Sequence, residues 1–192
     1  MARTNMSVDQ KVFDEFSAEA QSQNKTLFAF TNEWLSVISE LSKDGWTPSK
    51  IHGIGHSISL LKEMDVITLP SDFVDELITR MYKTDKQELL KMFRDMGSSL
   101  VGLLKIATPD IDGLSELAKE FIMLLPVKQF KVVKQDNDSI EVDIVGAGRK
   151  KESAECTFEF LEAILNGYDY SVSKHEIGVG MLRVWAYKTG TF

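Results

Sequence analysis

The fold is decided by residues 127–145, VKQFKVVKQDNDSIEVDIV, which follow directly on Pro126. Upstream of Pro126, apolar residues recur every three to four positions, which is typical of the buried face of a helix. Within residues 127–145, apolar and polar residues alternate on both sides of the turn-forming residues 136–139, which is typical of a β-hairpin. The sequence therefore predicts helices up to residue 125 and strands from residue 127 onward.

The upstream part is predicted to fold as a helical bundle. Two helices, near residues 8–23 and 27–42, should bury apolar stripes formed by Val12, Phe13, Phe16 and by Phe30, Trp34, Leu35, Ile38, Leu41. Further helices should start at Thr47-Pro48, at Ser71, at Thr84 and at Thr108-Pro109, because hydroxyl side chains cap free backbone N–H groups. Gly97 is expected to kink or end its helix.

The downstream part continues with a helix near residues 152–166, which Gly167 should close as a left-handed cap. Strands near residues 168–172 and 181–187 complete a ββαββ pattern. The predicted fold class is α+β: an N-terminal helical bundle followed by a four-stranded antiparallel sheet with one packed helix. We expect a single domain, with a helical subdomain at about 8–125 and a sheet subdomain at about 127–188.

Composition excludes several classes of protein. The formal net charge of -7 argues against a nucleic-acid surface, which needs clustered Lys and Arg side chains. The basic run Arg149-Lys150-Lys151 is therefore interpreted as a solvated loop. The chain contains neither a signal-peptide pattern nor an apolar run of the roughly 18–20 residues that span a bilayer, and its single cysteine fits a reducing compartment. We expect a cytoplasmic protein without membrane or nucleic-acid partners.

No set of residues predicts a catalytic or metal site. His52 and His56 share a helical spacing, but the residues between them lack the glutamate of a zinc-protease motif. Cys156 has no lysine or histidine beside it and is interpreted as a core residue. The glycines Gly146 and Gly148 are not expected to precede a helix as a phosphate-binding loop does.

Three stretches resemble the haem-dependent nitric-oxide/oxygen-binding (H-NOX) domains. The first is Gly45-Trp46-Thr47-Pro48-Ser49-Lys50-Ile51. The second consists of residues 112–118, DGLSELA, followed by Leu125-Pro126 and Phe130-Lys131-Val132. The third begins at residues 140–149, IEVDIVGAGR, and continues into the helix at residues 160–165. The vinyl-reductase-type small-ligand-binding domains share the ββαββ tail and are a related alternative.

The resemblance implies a ligand pocket, and it also implies that the haem ligand is missing. The pocket residues would be Leu114, Leu117, Ala118, Val145, Ala147 and Arg149. Ala118 stands where the family places its iron-ligating histidine, and an alanine methyl group has no lone pair for a metal. Val145 and Ala147 replace the tyrosine and serine that grip the haem propionates, which leaves Arg149 alone.

The resulting hypothesis is a haem-free, non-catalytic H-NOX-like regulatory or sensor domain. It would act through an apolar small molecule in the vacated pocket or through a signalling protein partner, with a hinge at Leu125-Pro126-Val127. No cofactor is expected. The alternatives are a haem-based gas sensor that uses His52 or His56 as axial ligand and, less favoured, a small hydrolase built around Cys156 or a serine.

Overall fold

The computed structural model describes residues 5–122, 124–125, 127–135 and 139–190. The chain divides into two compact units, residues 1–51 and 52–192. Helix α3 (Pro48–Glu63) begins in the first unit and continues in the second. In the described part, no helix has the length and apolar character needed to cross a bilayer.

The first unit contains the helices α1 (Gln10–Ser22) and α2 (Leu27–Lys43), capped by Asp9 and Thr26. Their contact is centred on Phe30, which is 1% exposed and whose ring lies 4.7 Å from that of Phe16. Two helices can bury only one line of contact between them. The predicted inward packing is therefore wrong for the remaining large residues of the stripes, which are exposed: Val12, Phe13, Trp34, Leu35 and Ile38.

The second unit contains four more helices and the sheet. The helices are α4 (Ser71–Thr84), α5 (Lys86–Ala107), α6 (Ile111–Ile122) and α7 (Lys151–Gly167). The strands are β1 (Gln129–Lys134), β2 (Ser139–Val145), β3 (Tyr170–Gly178) and β4 (Met181–Lys188). This arrangement confirms the predicted α+β fold class and the ββαββ order.

Aspartates, and not threonines, cap two of these helices. Asp85 accepts a hydrogen bond from the Glu88 backbone N–H at 3.0 Å, and Asp110 accepts one from the Gly113 N–H at 2.8 Å. The starts predicted at Thr84 and Thr108 are thus wrong by one or two residues, because a carboxylate stands nearer each helix. Thr108 instead ends α5, and its hydroxyl lies 2.9 Å from the buried Tyr168 hydroxyl. The start at Ser71 is correct, but Pro70 is the cap residue and no side chain caps this helix.

The four strands form one antiparallel sheet in the order β1-β2-β4-β3. The predicted hairpin is present as the β1–β2 pair, although residues 136–138 of its turn and Pro126 lie outside the described residues. One face of the sheet is buried against α6 and α7 in a single core. Its buried residues on the two central strands are Ile140, Val142, Ile144, Leu182, Val184 and Ala186.

Two glycines allow α5 and α7 to pack closely. A Cβ atom at Gly97 would lie 2.5 Å from the Phe160 carbonyl oxygen, and one at Gly167 would lie 2.4 Å from Val101 Cγ2. Gly97 therefore does not end α5, which runs on to Ala107. Gly167 is the last residue of α7. The left-handed conformation that was predicted for Gly167 is found two residues later, at Asp169, whose φ angle is 62°.

The close packing at Gly97 gives a first prediction. The Gly97→Ala substitution should lower the free energy of unfolding by about 1–3 kcal/mol, because backbone has to move to admit the methyl group. A matched control lies five residues on in the same helix. A Cβ at Gly102 meets no atom within 4 Å, so Gly102→Ala should be neutral or stabilising by up to about 1 kcal/mol. Urea unfolding of both variants measures the difference, and equal effects would contradict the close approach.

Candidate functional site

A cavity of about 880 Å³ lies where α4, the start of α7 and the ends of the strands meet. We call it the α4–α7 cavity. Much of its wall is apolar and is formed by Leu69, Val74, Ile78, Phe93, Val145 and Val179. The polar groups on the wall include Asp75, Lys128, Arg149 and Ser153. This volume is within the range of small-molecule sites, roughly 300–1,000 Å³, which typically combine apolar walls with a few polar groups.

Asp75 on α4 is the central polar group of this site. Asp75 is 4% exposed, and its carboxylate accepts hydrogen bonds from the Arg149 backbone N–H at 3.0 Å and from the Ser153 hydroxyl at 2.5 Å. Helix α7 starts after Lys150, whose side chain makes no cap hydrogen bond. Asp75 therefore supplies, from another helix, the negative charge that the positive end of the α7 dipole favours. We call this the Asp75 anchor.

The loop that leads into α7 is shaped to meet this carboxylate. Gly146 and Gly148 have φ angles of 99° and 79°, and a Cβ at Gly148 would lie 2.3 Å from Ser153 Cβ. The expectation that these two glycines do not precede a helix is wrong, because α7 follows almost at once. The helix start does not lie open to a phosphate, however, since the Asp75 carboxylate already occupies it.

Two residues of the basic run, Arg149 and Lys150, contact carboxylates and a hydroxyl group of α4. The Arg149 guanidinium forms an ion pair with Asp72. The Lys150 ammonium donates to the Thr79 hydroxyl at 3.0 Å and lies 3.3 Å from Glu76 Oε2. These contacts tie the loop to α4 along one wall of the cavity.

The residues predicted for the ligand pocket occupy different surroundings. Val145 and Arg149 line the α4–α7 cavity. Leu117 and Ala147 are buried in the main core, against which Leu114 also packs. Ala118 is partly buried on α6. Whether all six residues contact one ligand stays a prediction.

Haem is the group that the resemblance implies, and the residues present do not fit it. Ala118 has no donor atom for iron, and Leu117 and Ala147 are enclosed by protein side chains. Arg149, the remaining clamp residue, pairs with Asp72. Among the histidines, His52 is exposed, and His175 is exposed on β3 with its ring 4.1 Å from that of Phe158.

His56 is the histidine with a defined partner near α6. Its Nδ1 lies 3.1 Å from Glu120 Oε2, two residues beyond Ala118 in the sequence. Across the described residues, no group of three or more histidine, cysteine, aspartate or glutamate side chains is arranged to hold a metal ion. His56 is therefore the histidine whose substitution tests the alternative of a haem-based gas sensor.

Cys156 lies in a small apolar cluster with Ile78 and Leu89. Its side chain is 0% exposed, and burial raises the pKa of its thiol to about 12. A thiol that stays protonated and out of reach of solvent is a poor nucleophile. The interpretation of Cys156 as a core residue agrees with this environment. The environment argues against Cys156 as the nucleophile of the hydrolase alternative.

Asp75 and Ser153 were not among the site residues predicted from the sequence. A signal was present, because Asp75 sits between Val74 and Ile78 on the face of α4 that packs inward. A carboxylate on an apolar helix face needs a hydrogen-bonding partner. The sequence could not identify that partner, which comes from the start of a helix 78 positions away.

Comparisons with known proteins return only structural similarity. No protein-family model and no curated protein matches the sequence. Solved H-NOX structures are similar to this chain. A Cs H-NOX mutant with 4-cyano-L-phenylalanine has a TM-score of 0.44 and 13% identity, covering 66% of this chain and 78% of that chain. A Tt H-NOX variant has a TM-score of 0.43 and 14% identity, covering 66% and 77%.

A mutant structure of T. tengcongensis H-NOX has a TM-score of 0.42 and 13% identity, covering 75% of this chain and 98% of that chain. All three TM-scores are below 0.5. At these identities and TM-scores, the similarity carries no conclusion about the role, the cofactor or the ligand of this chain.

The Asp75 anchor gives a second prediction. The Asp75→Ala substitution should lower the free energy of unfolding by about 1.5–3 kcal/mol, because it leaves two donors at the start of α7 without their charged acceptor. The control is Asp72→Ala, which removes an exposed ion pair on the same helix and should cost less than about 0.5 kcal/mol. Denaturant unfolding measures both, and equal losses would show that Asp75 is not an anchor.

The burial of Cys156 gives a third prediction. In the native protein the thiol should not react with an aromatic disulfide reagent at pH 8, and it should react fully once the chain is unfolded in guanidinium. The absorbance of the released thiolate measures the reaction. Stoichiometric labelling of the folded protein within minutes would contradict the burial and would reopen the hydrolase alternative.

Proposed function

We propose that this chain is a haem-free, non-catalytic sensor domain that binds an apolar small molecule in the α4–α7 cavity and acts in the cytoplasm. The observation that carries the proposal is the cavity itself, whose mainly apolar wall also contains the buried carboxylate of Asp75. The resemblance of the sequence to H-NOX domains supports the sensor role. The missing donor at Ala118 supports the absence of haem.

The cavity lies where a ligand could change the packing of two elements. Its wall includes Val74 and Ile78 of α4, and it includes Arg149 and Ser153, which donate to Asp75. A molecule that separates or closes these walls would strain or strengthen the Asp75 anchor. A ligand shifts such an equilibrium only by its differential affinity for the two states. A signalling protein that reads the position of α4 relative to α7 would be the partner.

The proposed hinge at Leu125-Pro126-Val127 is a separate matter. Pro126 lies outside the described residues, so the structure offers no geometry for it. The motion we propose instead is local to the α4–α7 cavity and does not depend on that hinge.

The haem-free part of the proposal is tested by absorbance. Protein expressed with 5-aminolaevulinate should show no intense haem band in the visible spectrum, whereas the Ala118→His variant should gain one if the register of the resemblance is right. A band in the wild-type protein that disappears in His56→Ala would overturn the proposal in favour of the alternative gas sensor with His56 as axial ligand.

The ligand-binding part is tested with 1-anilinonaphthalene-8-sulfonate, a fluorescent probe whose rings suit an apolar wall and whose sulfonate suits the cationic Lys128 and Arg149. Binding should be saturable, and Val74→Phe, which adds a ring to the cavity wall, should weaken it at least about tenfold. Val37→Phe, at an exposed position of α2, is the matched control and should leave the affinity unchanged. Equal affinity in both variants would mean that the probe binds elsewhere.

A further inference from the structure

The sheet of the second unit has an outward face whose charges follow a regular order. Along each central strand, the buried residues alternate with residues on the opposite face, among them Asp143 on β2 and Arg183 on β4. The strand register places one residue of each strand in a single row across this face, namely Lys131, Asp143, Arg183 and Glu176. The charges in this row alternate as plus, minus, plus and minus.

The row is partly engaged within the chain and remains accessible. Arg183 Nε lies 2.5 Å from Asp143 Oδ1 and 3.3 Å from Glu141 Oε1. The Arg183 side chain is 42% exposed, and Lys131 and Glu176 at the two ends of the row are exposed. Glu176 also pairs with Lys174 of the same strand at 2.7 Å, but this pair is exposed, so both ends of the row can be reached by a partner.

This pattern is complementary to itself under one symmetry operation. Consider a two-fold axis that lies between two facing sheets, runs parallel to the strands and passes midway between β2 and β4. This axis places β1 of one copy over β3 of the other, and β2 of one copy over β4 of the other. Two copies related by this axis, with their sheets face to face, bring Lys131 opposite Glu176 of the second copy. The same operation brings Asp143 opposite Arg183 of the second copy. All four positions of the row then meet an opposite charge.

The neighbouring row supplies an aromatic anchor at the centre of the same face. Two cationic side chains lie over the Trp185 ring, with Lys174 Nζ at 4.3 Å and Arg183 Cζ at 5.8 Å from the ring centroid. Tryptophan and arginine are the residues most enriched at the centres of protein interfaces. The two-fold operation brings Trp185 opposite Glu141 of the second copy, whose carboxylate can accept from the indole N–H.

We propose that this face, which we call the sheet face, is the interface of a two-fold homodimer of this chain. The proposal goes beyond the sensor function and does not depend on a ligand. About eight residues per strand and four strands give a flat area of about 25 by 19 Å, on the order of 500 Å² per copy. This is at the low end for protein interfaces, which is typical of weak and transient association.

Two charge reversals test the interface by sedimentation equilibrium of the full chain. Lys131→Glu alone places glutamate opposite Glu176 at both symmetric positions, and Glu176→Lys alone places lysine opposite Lys131. Each variant should be folded, by circular dichroism, and should raise the dimer dissociation constant at least about tenfold. Lys62→Glu on α3 makes the same charge change away from the sheet face and should dimerise like the wild type.

An equimolar mixture of the two variants is the decisive measurement. In the heterodimer, the introduced glutamate faces the introduced lysine, and the unchanged Lys131 faces the unchanged Glu176. The mixture should therefore recover a wild-type dissociation constant, although each chain keeps the same unfavourable charge beside its own neighbours. A mixture that stays monomeric, a dimer indifferent to both reversals, or a wild-type chain that is monomeric at about 100 µM would each overturn the proposal.

Discussion

The approach of Gly97 to the carbonyl of Phe160 is the constraint on which the second unit depends. It brings the backbones of α5 and α7 together, and Gly167 repeats the approach at Val101 near the end of α7. Because α7 packs on α5 and α4 as well as on β3 and β4, its position is determined by both the helical and the sheet layer. Without these glycines the helices would separate, and the buried face of the sheet would lose part of its cover.

The start of α7 has no side-chain cap from Lys150, and Asp75 stabilises it instead. From α4, the Asp75 carboxylate accepts hydrogen bonds from the loop before α7 and from the first turn of α7. The α4–α7 cavity therefore lies beside a charged contact. In the proposed function, a molecule bound in this cavity would act on one defined contact, the Asp75 anchor. Because α7 also packs on β3 and β4, the proposed dimer through the sheet face would link two such sites.

Alternation and helical periodicity predicted most of the second unit. Phe130, Val132, Val142 and Ile144 alternate as strands do, and the ββαββ order followed from them. The errors at two glycines have a physical cause that lies outside local sequence. Gly97 and Gly167 were interpreted by their local preferences, whereas close contact between helices determines both of them.

The candidate site depends on contacts between elements that are far apart in the sequence. Val145 and Arg149 do line the cavity, but Asp75 and Ser153 were missed because their contact joins α4 to the start of α7 across the fold. The inward stripes of the first unit failed for a different reason: α1 and α2 have more apolar surface than their contact at Phe30 can bury. Periodicity gives the direction of a face but does not say what covers it.

The central claim is that the α4–α7 cavity binds an apolar ligand beside the Asp75 anchor, and a two-dimensional ¹H–¹⁵N NMR titration with 1-anilinonaphthalene-8-sulfonate tests it most directly. The account predicts that the largest saturable shifts fall on the backbone amides of Asp75, Arg149 and Gly180, with small changes on α1 and α2. Shifts confined to the exposed apolar residues around Phe13 and Trp34, with the Arg149 amide unmoved, would contradict it.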